Sequence, residues 1–209
     1  MDMEDNWLSM WNDRYREKSY AYGISPNQYL KAQLDQLPAG KVLLAAEGEG
    51  RNAVYAAIQG WTVSAFDISI EGKNKAMQLA KANETHIDYK VGPLTELNYQ
   101  VGEFDVVALI YAHFPPSIRS EYHSHLSSLV KKGGKIILEA FGKNHLPYRS
   151  QNEKVGGPND QAFLISIDEI STVFKDYEII ELTEKEVVLS EGTYHNGVGS
   201  VTRFIGVKR

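Results

Sequence analysis

The sequence predicts an α/β fold, a doubly wound and mostly parallel sheet of seven strands that ends in an antiparallel hairpin. Short apolar runs alternate with amphipathic stretches through the middle of the chain, as expected for parallel strands joined by crossover helices. The last two runs are rich in β-branched residues and have no helical period between them, which predicts the hairpin. A chain of 209 residues is long enough for one such domain and too short for a second large one.

Two helices are predicted before the first strand. The first carries Trp7 and Trp11 at helical spacing, which indicates an amphipathic helix. The second has Ser25 as a candidate N-cap and Pro26 at the position expected for the first helical residue. Gln28 would complete a capping box with Ser25.

The other elements follow in order along the chain. Strands are predicted for "KVLLAA", "TVSAFD", "HIDYKVG", "FDVVALIY" and "GGKIILEAF", and for the terminal runs "YEIIELTEKEVVLSEG" and "GSVTRFIGVKR". Helices are predicted for "RNAVYAAIQG", "EGKNKAMQLAKAN", "PPSIRSEYHSHLSSLVKK" and "IDEISTVF". Ser166 and Glu169 form a capping box for the last of these helices. The polar, glycine-containing segment 142–165 is predicted to be a long loop.

Composition limits the possible functional classes. The formal charge is −5 with scattered Lys and Arg, which disfavours a nucleic-acid surface. No apolar run approaches the roughly 18 residues of a membrane span, and the acidic beginning lacks a signal-peptide pattern, so we expect a cytoplasmic protein without a membrane partner. Without cysteine, and with His123 and His125 poorly spaced for a shared ion, no metal site is expected. We expect a monomer or a weak homodimer.

A glycine turn follows the first predicted strand. Gly48 and Gly50 let the backbone approach a ligand, and the N-terminus of the next helix offers N–H groups to an anionic group. Asp67, at the end of the second strand, is placed to accept hydrogen bonds from the two hydroxyls of a ribose. Because ligands bind at the carboxyl edge of an open α/β sheet, the turn and the acid together predict a nucleoside pocket.

Six segments carry a resemblance that spans nearly the whole chain. They are "WNDRYREKSYAYG", "VLLAAEGEGRNAVYAAIQGWTVSAFDIS", "HFPPSIR", "VKKGGKIILEAF", "GGPNDQAFLIS" and "LSEGTYHNG". In their order and spacing the sequence resembles the class I S-adenosylmethionine-dependent methyltransferases, and within them the small bacterial tellurite-resistance and thiopurine methyltransferase-like group. The resemblance implies one Rossmann-like domain, with an N-terminal helical lid at 1–37, a cofactor-binding core at 38–141, and a loop, helix and hairpin at 142–209.

The resemblance also implies which residues hold S-adenosylmethionine. The backbone around the glycine turn would cradle the methionine part, Ile68 would pack on the adenine, and the N–H of Leu94 would donate to the adenine ring. The full set of implied cofactor contacts is Ala45, Ala46, Glu47, Gly48, Gly50, Asn52, Asp67, Ile68, Leu94, Ile110 and Tyr111. The implied lid contacts are Trp11, Tyr15, Tyr20 and Tyr22, whose alternative role is to pack an amphipathic helix on the sheet.

Three positions depart from the common pattern of the superfamily. Leu44 and Ala46 stand where an acid and a first glycine are usual, and Pro93 replaces the polar residue that usually touches the adenine amine. Glu47 or Glu49 is a candidate partner for the methionine ammonium group, although Glu49 could equally be a solvated turn residue. These departures keep open a protein that binds S-adenosylmethionine without catalysis.

A nicotinamide-dependent reductase is a further alternative. Gly48, Gly50 and Ala53 satisfy the GxGxxA fingerprint of dinucleotide folds, and local spacing does not separate the two cofactors. However, the chain has no room for a second mononucleotide half, and seven strands ending in a hairpin suit a methyltransferase better.

Few residues suggest catalytic chemistry. His113, Tyr194 and His195 are candidate catalytic residues near a small-molecule methyl acceptor, and Arg149 is a candidate contact for an anionic substrate. Arg119 is expected at a helix surface. The sequence shows no obvious base dyad, which favours a soft sulfur, selenium or tellurium nucleophile over a neutral amine or hydroxyl.

Overall fold

One seven-stranded sheet forms the centre of the molecule. The computed structural model describes residues 3–209, with side chains from residue 6 onward. The strands are β1 (Lys41–Ala45), β2 (Thr62–Asp67), β3 (Asp88–Val91), β4 (Phe104–Ile110), β5 (Val130–Phe141), β6 (Tyr177–Glu191) and β7 (His195–Lys208), in the order β3-β2-β1-β4-β5-β7-β6. The first five pair in parallel, and β7 runs antiparallel to both β5 and β6. The predicted fold class is confirmed.

Helices cover both faces of the sheet. In the described part of the chain they are α1 (Met3–Arg16), α2 (Gln28–Leu34), α3 (Arg51–Ile58), α4 (Ile70–Ala82), α5 (Pro116–Leu129), α6 (Leu146–Gln151) and α7 (Ile167–Val173). Alternate residues of each strand enter opposite cores. On β1, Val42 and Leu44 pack with α2, α3 and α4, while Leu43 and Ala45 pack with α5 and α7. No helix described by the structure combines the length and the apolar character needed to cross a bilayer.

The topology brings an end of each of the seven strands to one edge. The carboxyl ends of β1 to β5 meet at this edge because these strands are parallel. Since β7 is antiparallel to β5, the beginning of β7 lies at the same edge, and the pairing of Glu191 with His195 closes the β6–β7 hairpin there. The glycine turn, Asp67 and the hairpin are therefore neighbours.

The start of α2 differs from the sequence prediction. Its N-cap is Asn27, whose side-chain oxygen accepts a hydrogen bond from the backbone N–H of Leu30 at 2.9 Å. The predicted cap at Ser25 and its capping box with Gln28 are wrong. The side-chain amide explains why Asn27 is the cap. Its nitrogen also donates to the buried Glu139 of β5 at 2.7 Å, which links the start of α2 to the sheet.

The segment predicted as a loop is partly helical. It contains α6 and two 3-10 turns, Glu153–Val155 and Gln161–Phe163. Beyond it, Ser166 caps α7 as predicted by accepting from the N–H of Glu169 at 3.0 Å. The carboxylate of Glu169 pairs instead with the guanidinium of Arg119, which is buried rather than at a helix surface.

His123 of α5 is an uncompensated polar group in the core. Its side chain is fully buried, and neither ring nitrogen has a hydrogen-bond partner. The rings of Phe114 and Phe174 lie about 6 Å from it, at 6.0 and 5.9 Å between centroids. Burial, aided by the charge of Arg119, lowers the pKa of His123 to about 3. The folded protein therefore keeps this imidazole neutral.

We predict that His123 makes the fold acid-sensitive. Below pH 6.5 the imidazole of His123 is protonated in the unfolded chain but stays neutral in the folded chain. The free energy of unfolding therefore falls as the pH drops towards 3. Between pH 8 and pH 5 the loss from this residue is about 2 kcal/mol. Urea unfolding should show that His123→Leu removes this part of the pH dependence, whereas the same change at the exposed His86 should not. An unchanged pH dependence in His123→Leu would contradict the prediction.

Candidate cofactor and acceptor site

The turn after β1 has three residues in the left-handed region. Ala46, Gly48 and Gly50 have φ angles of 50°, 63° and 86°. Glycine adopts such angles without strain, whereas an alanine there costs about 1 kcal/mol. The turn therefore keeps, at Ala46, the backbone conformation for which a glycine is the usual residue.

Asp67 is fixed against this turn. One carboxylate oxygen accepts the N–H of Gly48 at 3.0 Å, and the other accepts the N–H of Ser69 at 2.9 Å. The hydroxyl of Tyr89 also holds the turn, because it donates a hydrogen bond to the carbonyl of Gly48 at 2.6 Å. Burial raises the pKa of Asp67 to about 6, although these N–H groups oppose the shift. The turn and the end of β2 form one unit, as the predicted nucleoside pocket requires.

Glu47 occupies the N-terminus of α3. One of its oxygens accepts the backbone N–H groups of Asn52 and Ala53, both at 2.8 Å. Burial raises the pKa of Glu47 to about 7 against these hydrogen bonds. The expectation that this helix offers free N–H groups to an anionic ligand is wrong, because the carboxylate of Glu47 already accepts the N–H groups of Asn52 and Ala53. A dinucleotide fold holds pyrophosphate at this position, so the arrangement disfavours the nicotinamide alternative.

Glu49 fastens the N-terminal segment to the turn. Its carboxylate accepts the N–H of Ala21 and a hydrogen bond from Lys75 Nζ, both at 2.7 Å. Lys75 also donates to the carbonyl of Ser19 at 2.7 Å. Only 4% of Glu49 is exposed, so the interpretation as a solvated turn residue is wrong.

The predicted lid aromatics lie along this N-terminal segment. Trp11 stacks on Tyr15 with centroids 5.4 Å apart. The Tyr15 hydroxyl is so close to the turn that a Cβ built on Gly48 would lie 2.6 Å from it. Tyr20 donates to the carbonyl of Lys75 on α4 at 3.2 Å. The segment thus packs on α4 and covers the glycine turn at the same time.

The remaining predicted cofactor residues lie at the same edge. Ala45 and Ile110 end β1 and β4, and Ile68 follows β2 and is half-buried. Leu94 has a fully buried side chain and begins a 3-10 turn, which leaves its N–H without a partner inside that turn. Pro93 immediately precedes it as the N-cap.

Across the sheet edge, Tyr111 directly follows β4 and has a left-handed conformation, with a φ angle of 54°. Its hydroxyl donates to Glu139 at 3.0 Å. Glu139 is 1% exposed and also accepts from the Nδ2 of Asn27 and the Nε of Arg203, both at 2.7 Å. A cavity of about 230 Å³ opens beside this group, between the segment from Tyr22 to Tyr29 and the end of β6.

The structure contains a base dyad that the sequence analysis missed. His195 Nδ1 lies 3.1 Å from Glu191 Oε2, and that same oxygen accepts from the Nη2 of Arg51 at 2.9 Å. Burial alone would raise the pKa of Glu191, but the hydrogen bond from His195 and the charge of Arg51 lower it to about 2. Burial lowers the pKa of His195, so its ring is neutral at pH 7. The predicted hairpin could have indicated this pair, because two residues four apart in the sequence face each other across a short hairpin loop.

The other candidate residues have structural partners. His113 donates or accepts at both nitrogens, with Phe163 O at 3.0 Å and Phe141 N at 3.2 Å, and burial lowers its pKa to about 3. Because both nitrogens are used, His113 is unsuited to proton transfer. Arg149 lies in α6 and donates to the carbonyl of Gly157 at 3.0 Å. The half-exposed Tyr194 lies under the guanidinium of Arg14, 4.9 Å from its ring centroid.

No group of three or more side chains in the described residues could hold a metal ion.

Residues 42–134 match a family described as "Methyltransferase domain". A search of curated proteins finds no match. The matched region contains the glycine turn, Asp67 and Tyr111 but not the β6–β7 hairpin.

Three solved structures illustrate the likeness of the fold. One, described by the conversion of a disulfide bond into a thioacetal group during echinomycin biosynthesis, is 17% identical, with 99% of this chain and 92% of that chain covered and a TM-score of 0.76. TehB from Haemophilus influenzae is 14% identical, with 97% and 67% covered and a TM-score of 0.70. Magnesium protoporphyrin IX methyltransferase from Synechocystis, with bound S-adenosylmethionine, is 19% identical, with 100% and 98% covered and a TM-score of 0.67.

These findings establish the Rossmann-like methyltransferase fold and agree with the predicted cofactor. They support a class I methyltransferase and do not favour the reductase alternative. The narrower resemblance to the tellurite-resistance and thiopurine methyltransferase-like group stays a prediction.

We predict that Gly50 is required by packing as well as by its backbone angle. A Cβ at Gly50 would lie 2.5 Å from the Cβ of Ala76, whereas Gly60 has almost the same φ angle, 87°, and open space around it. Gly60→Ala should cost roughly 1 kcal/mol of unfolding free energy. Gly50→Ala should cost about 3 kcal/mol, because overpacking is added. Equal losses in urea unfolding would show that Ala76 moves aside freely.

We predict that Glu49 holds the N-terminal segment closed. Glu49→Gln leaves the mostly buried Lys75 without its counter-charge and should cost about 3 kcal/mol. Amide exchange at Ala21 should accelerate. The exposed Lys31–Asp35 pair is a matched control, and Asp35→Asn should cost less than about 1 kcal/mol. Slow exchange at Ala21 in Glu49→Gln would contradict the assignment.

Proposed function

We propose that the protein transfers a methyl group from S-adenosylmethionine to a small molecule. The observation that carries the proposal is the contact between Asp67 and the N–H of Gly48, which joins an acidic strand end to a left-handed turn at the sheet edge. In an open α/β sheet this edge is where ligands bind. The match of residues 42–134 to a methyltransferase domain supports the same cofactor.

The residues at this edge fit the cofactor. Gly48 and Gly50 leave the backbone open to close approach, and the oxygens of Asp67 retain lone pairs for ribose hydroxyls. Glu47 and Asp67 create negative potential that suits the ammonium and sulfonium groups of the ligand. When bound, S-adenosylmethionine supplies an electrophilic methyl group with a good leaving group.

The chain's own task is alignment and exclusion of water. Tyr15, stacked on Trp11, covers the turn and shields it from solvent. Displacement at carbon requires the acceptor atom to lie in line with the bond that breaks, so a closed and ordered lid contributes directly to the rate. In this proposal Tyr20 and Tyr22 hold the lid, and Ile68, Leu94 and Pro93 surround the adenine.

We further propose a soft acceptor, a sulfur, selenium or tellurium centre. In this proposal the acceptor binds next to His195. The rings of Tyr22, Tyr111 and Phe141 surround His195 and line that side of the site. Sulfur makes favourable contacts with aromatic rings. The sulfur chemistry named for one structural neighbour, the conversion of a disulfide bond into a thioacetal group, supports the same acceptor class.

The cofactor proposal predicts that Asp67→Ala weakens binding of S-adenosylhomocysteine at least about 30-fold, because two charge-assisted hydrogen bonds to the ribose are lost. Calorimetric titration of the purified protein measures this. Asp88→Ala, at the opposite edge of the sheet, is the control and should bind as the unchanged protein does. An NADH titration accompanies both.

Two results would overturn the proposal in different ways. Preferential binding of NADH, or equal affinity in Asp67→Ala, would place the ligand elsewhere. Tight binding without methyl transfer to thiols, selenols or tellurite would identify a cofactor-binding protein without catalysis.

A further inference from the structure

We infer that Glu191 and His195 act as a general-base pair that takes the proton from a neutral thiol acceptor. The inference rests on the proposed function and narrows it. It assigns the acceptor as an alkyl thiol, which is protonated at neutral pH, and it assigns His195 Nε2 as the atom that receives the proton.

The hydrogen bonds fix the tautomer of the imidazole. Glu191 Oε2 is an acceptor, 3.1 Å from His195 Nδ1, and it is held by Arg51 at 2.9 Å. The other oxygen, Oε1, accepts from the Nδ2 of Asn27 at 3.1 Å. A carboxylate so placed requires a proton on Nδ1, which leaves the lone pair of the neutral ring on Nε2.

The Nε2 atom has no hydrogen-bond partner among the described residues. Among the side chains that the structure describes, the only fully enclosed nitrogens without a partner are the two of His123. His195 Nε2 has no hydrogen-bond partner in the described residues and is not among these fully enclosed atoms, although only 4% of the residue is exposed. The neighbouring buried histidines differ, since His113 uses both ring nitrogens and His145 contacts Gly156 O at 3.0 Å and Ser200 N at 3.3 Å.

The pair lies on the acceptor side of the cofactor turn. The centroid of the His195 ring is 4.4 Å from that of Tyr111, the residue that directly follows β4, and 4.5 Å from that of Tyr22 in the proposed lid. Arg51, which holds Glu191, directly follows Gly50. The groups that face the imidazole are thus Glu191 and Arg51, with the ring of Tyr111 on one side and His145 nearby.

The reaction balances without another reagent. The thiol gives its proton to Nε2, and the S–H electron pair stays on the acceptor sulfur. That pair forms the new bond to the methyl carbon, and the carbon–sulfur bond of the sulfonium breaks with its electrons returning to the leaving sulfur. The imidazolium is stabilised by Glu191 until Nε2 releases the proton to water. A purely structural ion pair in the hairpin would not need a free Nε2.

Two thiols test the inference. Benzyl mercaptan is protonated at pH 7, and 4-nitrothiophenol is ionised. His195→Gln should lower kcat for benzyl mercaptan about 100-fold at pH 7 and change KM little. The variant should recover as the pH rises and the thiol ionises on its own. For 4-nitrothiophenol the change should stay within about threefold, because no proton has to be removed. His86→Gln, an exposed histidine next to the opposite edge of the sheet, is the control.

A second readout is independent of turnover. Nitrogen NMR of histidine-labelled protein should show the Nδ1–H tautomer for His195 at pH 7, and Glu191→Gln should reduce its preference. An Nε2–H tautomer, or equal losses of kcat for both thiols in His195→Gln, overturns the inference. If the protein binds S-adenosylhomocysteine but never methylates benzyl mercaptan, the thiol assignment fails while the cofactor proposal stands. Absence of cofactor binding marks failure of the proposed function instead.

Discussion

The buried ion pair between Arg51 and Glu191 determines how the two halves of the site face each other. Arg51 begins α3 directly after the glycine turn, and Glu191 ends β6, so one contact of 2.9 Å joins the turn to the hairpin. Both side chains are about nine-tenths buried, and removing one partner of such a pair costs roughly 3–5 kcal/mol because the other charge is left in a poor solvent. Arg51 also donates to the carbonyl of Tyr22 and so connects the N-terminal segment to the same ion pair.

The acidic residues at this edge fall into two groups with different electrostatic consequences. Glu47 and Asp67 are held mainly by backbone N–H groups, and burial raises their pKa values to about 7 and 6. Glu49 and Glu191 are paired with cations, Lys75 and Arg51, which satisfy the buried charges. The edge can therefore hold several carboxylates close together, since only part of their charge is unopposed at neutral pH.

Local patterns in the sequence predict the part of the site that is local in the chain. The order of strands and helices, the glycine turn and Asp67 follow from periodicity and from residues with special backbone angles. The hydrogen bond from the N–H of Ala21 to Glu49 and the one from Asn27 to Glu139 join residues far apart in the chain, and no single-sequence pattern indicates such partners. The pair of His195 and Glu191 is an intermediate case. Its two residues face each other because of the hairpin register, which is local, but Glu191 is also held by Arg51, which is far away in the chain.

The N-terminal segment contacts both halves of the site and therefore couples them. The backbone N–H of Ala21 is held by Glu49 at the turn, and its carbonyl accepts the N–H of Thr193 in the hairpin loop at 2.8 Å. Gly192 packs so closely on this segment that a Cβ would lie 2.3 Å from the nitrogen of Gly23. Detaching the segment would break contacts at both ends, so the turn and the hairpin become exposed in one event rather than two. In an enzyme that must exclude water from cofactor and acceptor together, a single closing element achieves both.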